Sequence, residues 1–171
     1  MSIHSLFTPR LELRAIPLPC YDLAFDDAGG LQRILIDLTI PDNWPAENWD
    51  EEFLDYSRDT LAKNPHSETW LGRFMIETAT RTLIGHCGIG ANREGIELGY
   101  TVLPQFRRRG FASEAVARMV RYGFEEGGAE TIIAHTYPHL TPSIGTLEKN
   151  GFVLIGDGSA EGTIRFELRR E

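Results

Sequence analysis

Residues 97–128 read ELGYTVLPQFRRRGFASEAVARMVRYGFEEGG and constrain the fold more than any other part of the chain. The run from Leu98 to Leu103 predicts a strand, which Pro104 ends because proline cannot donate a hydrogen bond to a neighbouring strand. A helix is predicted to begin near Gly110 and to stop at Gly127-Gly128, because its apolar residues recur on one face. Those apolar residues are Ala115, Val116, Met119, Val120 and Phe124. The centre of the fold is therefore a strand, a basic glycine turn and a helix.

The turn between this strand and helix places positive charge beside a helix start. Its residues are Arg107, Arg108, Arg109, Gly110, Phe111, Ala112 and Ser113. The first N–H groups of a helix have no partner within it and carry roughly half a positive charge, so they attract an anion. Gly110 lets a ligand approach the main chain closely, and the three arginines add charge. The pattern fits a diphosphate site and an ordinary solvated basic turn equally well.

Arg107-x-x-Gly110-x-Ala112 resembles the pyrophosphate-binding motif R/Q-x-x-G-x-G/A of the GNAT superfamily of N-acetyltransferases, in the place where that family carries it. The segment ELGY at residues 97–100 precedes the motif, and SIGTLEKNGF at residues 143–152 follows it at the expected distance. Together the three segments are similar to the branch that contains the ribosomal-protein N-terminal acetyltransferases.

The resemblance covers about residues 8–168, and we expect residues 1–171 to form a single acetyltransferase domain. It implies an α/β fold of GNAT type. That fold is a mixed, mostly antiparallel sheet of six to seven strands with one splayed parallel pair, flanked by about four to five helices. The chain itself predicts strands at residues 10–14, 69–77, 83–90, 98–103, 130–136, 152–155 and 163–168. The second to fourth of these form an antiparallel meander, and a helical crossover places the fifth parallel to the fourth.

Local signals place the remaining helices. Helices are predicted at residues 21–27, 31–38, 46–63 and from Thr141 to Asn150, in addition to the one that begins near Gly110. Gly29-Gly30 is expected to separate the first two helices. Asn48 is expected to be the N-cap of the third, with Glu51 at N3. Thr141 followed by Pro142 is typical of an N-cap with proline at N1.

Charge limits the classes of function. The net charge of −8 argues against a general nucleic-acid binder, since phosphate contacts need a basic surface. The arginines concentrated on one turn suit a compact polyanion such as coenzyme A better than a long strand. Residues 42–59 hold seven acidic residues against one arginine, a net charge of −6. This segment is interpreted as a solvated helix face, with attraction of a cationic amine as the alternative.

The cysteines and the hydropathy of the sequence predict the cellular compartment of the protein. Cys20 and Cys87 follow no metal-binding or redox spacing, and we expect both to be reduced in a cytoplasmic protein. No apolar run approaches membrane-spanning length, so no membrane association is expected. The sequence also offers no ligand cluster for a metal.

The resemblance assigns roles to individual residues. It implies that the main chain of Val102 and Leu103 holds the pantetheine arm in the manner of an added strand, and that residues 107–113 hold the diphosphate. Glu97 resembles the glutamate that many GNAT enzymes use as a general base, and a solvent-facing or structural glutamate is the alternative. Ser143 resembles a serine of the N-terminal acetyltransferase branch that bonds the sulfur or the arm. Its alternative is a helix-start serine that satisfies a backbone N–H.

Two positions depart from the family pattern. Leu147 stands where many relatives have a tyrosine general acid, and Leu140 stands where they have an asparagine that bonds the cofactor arm. Two histidines on predicted strands, His86 and His135, are interpreted as structural. Trp44 is interpreted as a packing anchor, with a place in the wall of the acceptor cleft as the alternative.

The sequence therefore predicts an N-acyltransferase that moves an acetyl group from acetyl-CoA to a primary amine by direct transfer in a ternary complex, without a metal. The acceptor is either a protein N-terminus or a small-molecule amine, and a homodimer is possible. An α-amino group is roughly 10 to 15% neutral at pH 7 and a lysine only about 0.04%, so a base is useful. The alternative function is a non-catalytic coenzyme A sensor or interaction module, which Leu140 and Leu147 favour.

Overall fold

The computed structural model describes residues 4–22, 28–47, 49–92 and 95–171. Its strands are β1 (Ser5–Phe7), β2 (Leu11–Ala15), β3 (Gly72–Glu77), β4 (Thr82–Asn92), β5 (Gly95–Val102), β6 (Thr131–Thr136), β7 (Val153–Asp157) and β8 (Ile164–Arg169). Its α-helices are α1 (Leu18–Asp22), α2 (Ala28–Ile34), α3 (Glu51–Lys63), α4 (Phe111–Glu125) and α5 (Thr141–Lys149). No helix among these residues is both long enough and apolar enough to span a bilayer.

All eight strands form one mixed sheet in the order β1-β2-β3-β4-β5-β6-β8-β7. Strands β1 to β5 pair antiparallel in chain order, and α4 returns the chain so that β6 lies parallel to β5. The predicted α/β class, meander and single parallel pair are confirmed. The sheet has eight strands rather than six to seven, because β1 precedes the first predicted strand. Three residues are too few to show a strand period in the sequence.

The parallel pair separates soon after it forms. The register pairs Ile96 with Ile132 and Glu97 with Ile133, and both strands continue beyond these residues. The gap between them therefore opens toward their carboxyl ends. On the β5 side it lies next to the turn that leads into α4. The splayed pair expected from the resemblance is present.

Two apolar cores cover the two faces of the sheet. Helices α4 and α5 pack on the face that carries Leu98 and Val102. Helices α1 to α3 pack on the face that carries Phe74 and Leu83. Because side chains alternate along a strand, Glu97 and the other odd-numbered residues of β5 lie on the second face.

The alternating sequence RLELR at residues 10–14 predicts a strand that is half buried through Leu11 and Leu13, but the structure buries both faces of β2. Glu12 and Arg14 on the opposite face are 6% and 8% exposed. They form an ion pair with each other at 2.8 Å, and Arg14 also pairs with Asp37 at 2.8 Å. Arg81 pairs with the carboxylates of Glu12 and Asp37. Burial alone would raise the pKa of Glu12, but hydrogen bonds from Arg14, Arg81 and Ser5 outweigh it and lower that pKa to about 2.

Helix starts differ from the sequence prediction in the first half of the chain. Gly29 and Gly30 lie inside α2 instead of separating two helices, and residues 23–27 lie outside the described residues. Helix α3 begins at Glu51, and its N-cap is Asp50, whose carboxylate accepts a hydrogen bond from the Phe53 N–H at 2.9 Å. The predicted N-cap, Asn48, also lies outside the described residues.

Candidate active site

The turn before α4 has the backbone of an anion-binding site. Gly110 is the N-cap with φ 82° and ψ 2°, and Arg108 two residues earlier has φ 61°. The first hydrogen bond of the helix runs from the Glu114 N–H to the Gly110 carbonyl at 3.1 Å. The N–H groups of residues 111–113 precede this bond, so the helix itself gives them no acceptor. Turns with left-handed residues bring successive N–H groups together in anion-binding concavities.

A residue from the other end of the chain forms one wall of this turn. Arg10 donates from Nη1 to the Arg109 carbonyl at 2.9 Å and pairs through Nε with Glu114 at 2.7 Å. Its guanidinium lies 4.6 Å from the centre of the Phe111 ring. A β-carbon at Gly110 would lie 3.3 Å from Nη2 of Arg10. The turn therefore needs glycine mainly for its backbone conformation, because the end of the flexible Arg10 side chain needs to shift by only a few tenths of an ångström to admit a β-carbon. Sequence reasoning gave Arg10 no such role, because nothing near it in the chain points to the turn.

The three arginines of the turn have different surroundings. Arg107 donates from Nε to the Val102 carbonyl at 2.8 Å and pairs with Glu47 at 3.1 Å. Arg109 pairs with Glu77 at 3.2 Å. Arg108 is exposed and makes no ion pair with the residues that the structure describes. Arg107 and Arg109 thus tie the turn to neighbouring elements, whereas the charge of Arg108 is directed to solvent.

At the end of β5, the main-chain N–H and C=O groups of successive residues point alternately toward β4 and toward the gap. The Leu103 N–H donates to the Ile84 carbonyl at 2.8 Å, and its carbonyl accepts from the Phe106 N–H at 2.9 Å. Because main-chain groups alternate sides along an antiparallel strand, those of Val102 point away from β4 and toward the gap. The Val102 carbonyl is taken by Arg107. Of the two residues expected at the pantetheine arm, Val102 presents its N–H to the gap, and Leu103 bonds within the protein.

Two hydroxyl groups meet on the α4 and α5 face of β5. The Tyr100 hydroxyl lies 3.1 Å from Ser143 Oγ and donates to the Ser143 carbonyl at 3.2 Å. Burial raises the pKa of Tyr100, and hydrogen bonding to Ser143 opposes that rise. The N-cap of α5 is Leu140 rather than the predicted Thr141, so Ser143 lies in the first turn. The sequence named Ser143 but did not show that it meets Tyr100.

A carboxylate and an imidazole meet on the opposite face of β5. Glu97 Oε1 lies 2.8 Å from His135 Nδ1, and the two side chains are 36% and 12% exposed. His135 lies on β6 two residues beyond Ile133, the last residue that pairs with β5. The pair therefore spans the start of the gap. The sequence interpretation of His135 as a structural histidine missed this pairing, because strand alternation does not show which side chains meet across strands.

The two departures from the family pattern have different surroundings. Leu147 is 1% exposed and belongs to the core under α5, so no hydroxyl reaches the gap from that position. Leu140 is 41% exposed at the start of α5.

His86 and Trp44 belong to an aromatic cluster on the Glu97 face of the sheet. Burial lowers the pKa of His86 to about 4. The Trp44 ring centre lies 5.3 Å from that of Trp49 and 5.9 Å from that of Phe74. These contacts place Trp44 in a packed cluster, and they leave its role toward an acceptor a prediction.

Other possible sites are less suited to this chemistry. A cavity of about 240 Å³ lies at the opposite end of β5, where Ile96, Ile89 and Gly127 contribute to its walls. Its lining residues carry no charge. Among the described residues, no three His, Cys, Asp or Glu side chains are grouped so that they could hold a metal ion. The functional groups therefore concentrate at the gap between β5 and β6.

An open mixed sheet with one splayed parallel pair and helices on both faces is the fold of the GNAT class of domains. Residues 21–153 match the family described as Acetyltransferase (GNAT) domain. The chain therefore belongs to the GNAT acetyltransferase family, as the sequence resemblance implied. Acetyl-CoA is the usual substrate of this family.

Individual relatives agree with this assignment. The uncharacterized N-acetyltransferase YjdG of Bacillus subtilis (strain 168) is 26% identical over 153 residues, which cover 87% of this chain and 89% of YjdG. The ribosomal-protein-S5-alanine acetyltransferase from Vibrio fischeri superimposes with a TM-score of 0.67 at 14% identity, over 97% of this chain and 96% of that one.

A further solved structure is that of the microcin C7 self immunity acetyltransferase MccE in complex with acetyl-CoA and AMP. It gives a TM-score of 0.60 at 13% identity, over 95% of this chain and 94% of that one. At such identities the two solved structures show that the fold is shared.

Proposed function

We propose that this protein is an acetyl-CoA-dependent N-acetyltransferase that transfers the acetyl group directly to a primary amine bound in the same complex. The observation that carries the proposal is the start of α4 beside the splayed strands. There, the left-handed Gly110 and the N–H groups of residues 111–113 form an anion site next to a main-chain gap. A diphosphate joined to an extended arm fits this combination.

The proposed binding roles follow from the contacts. The N–H groups of residues 111–113 and the exposed Arg108 hold the diphosphate. Arg107 and Arg109 shape the turn through their ion pairs. The Val102 N–H bonds the pantetheine arm, and Leu103 supports that strand end through its hydrogen bond to Ile84.

The proposed chemistry places a base and a proton donor on opposite faces of β5. Glu97 accepts the proton of the amine, directly or through a water molecule, as the nitrogen attacks the carbonyl carbon. The carbon–sulfur bond then breaks. The Tyr100 hydroxyl, which donates to the Ser143 carbonyl in the structure, turns to donate to the departing thiolate, and the Ser143 hydroxyl lies beside it. The Tyr100 hydroxyl is protonated at neutral pH, because the ordinary pKa of tyrosine is about 10 and burial raises the pKa of this group further. Tyr100 thereby supplies, from β5, the donor that Leu147 cannot supply from α5.

We propose a protein or peptide N-terminus as the acceptor. An α-amino group is neutral far more often than a lysine at pH 7, so it demands less of the base. The resemblance to ribosomal-protein N-terminal acetyltransferases favours the same class, and one structural neighbour is named for acetylating an alanine of a ribosomal protein. A small-molecule amine is the other class to be tested.

Thiol release and calorimetry together test this function. Wild-type protein should bind acetyl-CoA and release thiol with peptides that carry a free N-terminus, but not with the same peptides after N-terminal blocking. Glu97→Gln should lower kcat by about 100-fold, because a general base contributes about 10²–10⁴ to the rate, and should leave acetyl-CoA affinity unchanged. Glu126→Gln, an exposed change at the end of α4, is the matched control.

The outcomes separate the two candidate functions. Binding of acetyl-CoA without thiol release for any amine would identify a non-catalytic coenzyme A sensor. Absence of binding would contradict the proposed site itself.

A further inference from the structure

The proposed base, Glu97, does not stand alone, because its carboxylate contacts the imidazole of His135. The two side chains come from adjacent strands at the point where those strands separate, and they meet at 2.8 Å. The carboxylate keeps more solvent access than the imidazole, with 36% against 12% of the side chain exposed. The group that can meet an incoming amine is therefore the carboxylate, with the imidazole behind it.

The far side of the imidazole is packed tightly. A β-carbon at Gly158 would lie 2.8 Å from His135 Cδ2 and 2.1 Å from Thr163 Oγ1. The Gly158 N–H donates to the Thr163 carbonyl at 2.8 Å, which holds the loop against the ring. The ring is thus confined between the loop on one side and Glu97 on the other.

Charged residues of β8 complete the surroundings of the imidazole. Arg165 stands directly opposite His135 in the register of β6 and β8. It pairs with Glu167 at 2.6 Å, and Glu167 also lies 3.5 Å from Arg169. Glu97, His135 and Arg165 therefore form a row across three neighbouring strands, in which the imidazole separates the carboxylate from the arginine.

We propose that His135 is a positioning residue, which donates its Nδ1 proton to Oε1 of Glu97 and so holds that carboxylate at the mouth of the gap. The inference rests on the proposed function, because it explains how the carboxylate of Glu97, the proposed general base, is oriented. A glutamate has three side-chain torsions, and a hydrogen bond from a confined ring removes much of that freedom before the amine arrives. The imidazole itself stays behind the carboxylate and does not contact the amine.

Two nearly isosteric replacements test this role. His135→Leu removes the donor, whereas His135→Asn keeps an N–H donor near the place of Nδ1. The leucine variant should lose about 10- to 100-fold in kcat, because small misplacements of a reacting group cost up to about 10² in rate. Its KM for acetyl-CoA should stay within about twofold, and the asparagine variant should recover most of the rate. His66→Leu, at an exposed histidine of the 3₁₀ turn Pro65–Thr69, is the control for loss of an imidazole.

Each kinetic outcome decides the proposal. Wild-type rates in both His135 variants would overturn it. Equal losses in the leucine and asparagine variants would also overturn it, because they would mean that the imidazole itself takes part in the reaction. Unfolding temperatures and acetyl-CoA affinities of both variants separate these results from misfolding.

A second measurement does not depend on turnover. Nitrogen-15 NMR of the histidine rings in the full protein should show Nδ1 of His135 protonated, and Glu97→Met should change that signal because the acceptor is lost. An unchanged His135 signal in Glu97→Met would overturn the pairing. If wild-type protein acetylates no amine, the proposed function fails, and with it the effect of His135 on the rate. The NMR result then still decides whether the pair exists in solution.

Discussion

Gly110 has a left-handed backbone conformation and lies at the proposed anion site. Its φ of 82° is a conformation that residues with a β-carbon rarely adopt, and such a carbon would also lie 3.3 Å from Arg10 Nη2. Gly128, just beyond the other end of α4, also has a positive φ, of 63°, but a β-carbon there would meet nothing within 4 Å. The two glycines therefore share the same kind of backbone strain, and only Gly110 lies at the proposed anion site.

This difference gives a residue-scale prediction. Gly110→Ala should weaken acetyl-CoA binding by about tenfold, and Gly110→Asp should abolish it, because the carboxylate adds repulsion at an anion site. Gly128→Ala should cost about 1 kcal/mol of unfolding free energy through the same kind of strain and should leave binding unchanged. Calorimetric titration and thermal unfolding measure the two effects. Equal losses of affinity in Gly110→Ala and Gly128→Ala would mean that helix strain, and not the anion site, controls binding.

At the scale of elements, the basic turn is held in shape by its own arginines. Arg107 links the end of β5 to Glu47, and Arg109 links the start of α4 to Glu77 on β3. These are ion pairs at the protein surface, and their charges are partly neutralised before any ligand binds. Arg108 has no such partner among the described residues, so its full charge can act on a diphosphate.

The element-scale prediction is that the arginines differ in the salt dependence of their effects. Arg108→Gln should weaken acetyl-CoA binding about fivefold at low salt, roughly 1 kcal/mol, and less at high salt, because ions screen an exposed charge. Arg107→Gln should weaken binding by an amount that changes little with salt, because it loosens the end of β5. Titrations at two salt concentrations measure both. A salt-independent loss in Arg108→Gln would show that this arginine acts through the shape of the turn.

At the scale of the whole molecule, the ion-pair network around Glu12 joins distant parts of the chain. Glu12 and Arg14 lie on β2, Asp37 follows α2, and Arg81 precedes β4. Hydrogen bonds outweigh burial and lower the pKa of Glu12 to about 2, from an ordinary value of 4.5. The same arginines lower the pKa of Asp37. The network therefore stabilises the protein only while its carboxylates are ionised.

The lowered pKa of Glu12 predicts that the protein loses stability as the pH falls. A carboxyl group whose pKa is lower in the folded state contributes its full stability above its unfolded value of about 4.5, and loses it as the pH falls toward 2. Glu12→Gln should lower the unfolding free energy by about 3 kcal/mol at neutral pH and reduce the loss of stability on acidification. Asp59→Asn, in an exposed pair with Lys63, should change stability by less than about 0.5 kcal/mol. Urea unfolding at several pH values measures both variants, and equal effects would contradict the role of the buried network.

Much of the fold could be predicted because its signals are local. The strand, turn and helix of residues 97–128, the meander before them and the crossover after them were read from hydrophobic period, proline and glycine, and the structure confirms them. Errors occurred where tertiary partners override the local pattern. Glu12 and Arg14 looked solvent-facing, yet both are buried by residues from other elements. Gly29 and Gly30 looked like a break between helices and lie inside α2.

The candidate site divides in the same way. The sequence by itself determined the glycine turn before α4 and named Glu97 and Ser143 as candidate catalytic residues, because a motif and its spacing are properties of neighbouring residues. Only the tertiary structure decided which side chains meet. Arg10 reaches the carbonyl of a residue 99 positions away, Tyr100 meets Ser143 across 43 positions, and His135 meets Glu97 across 38. Such contacts depend on strand register and on how the sheet opens, and those are settled only when distant segments pack together.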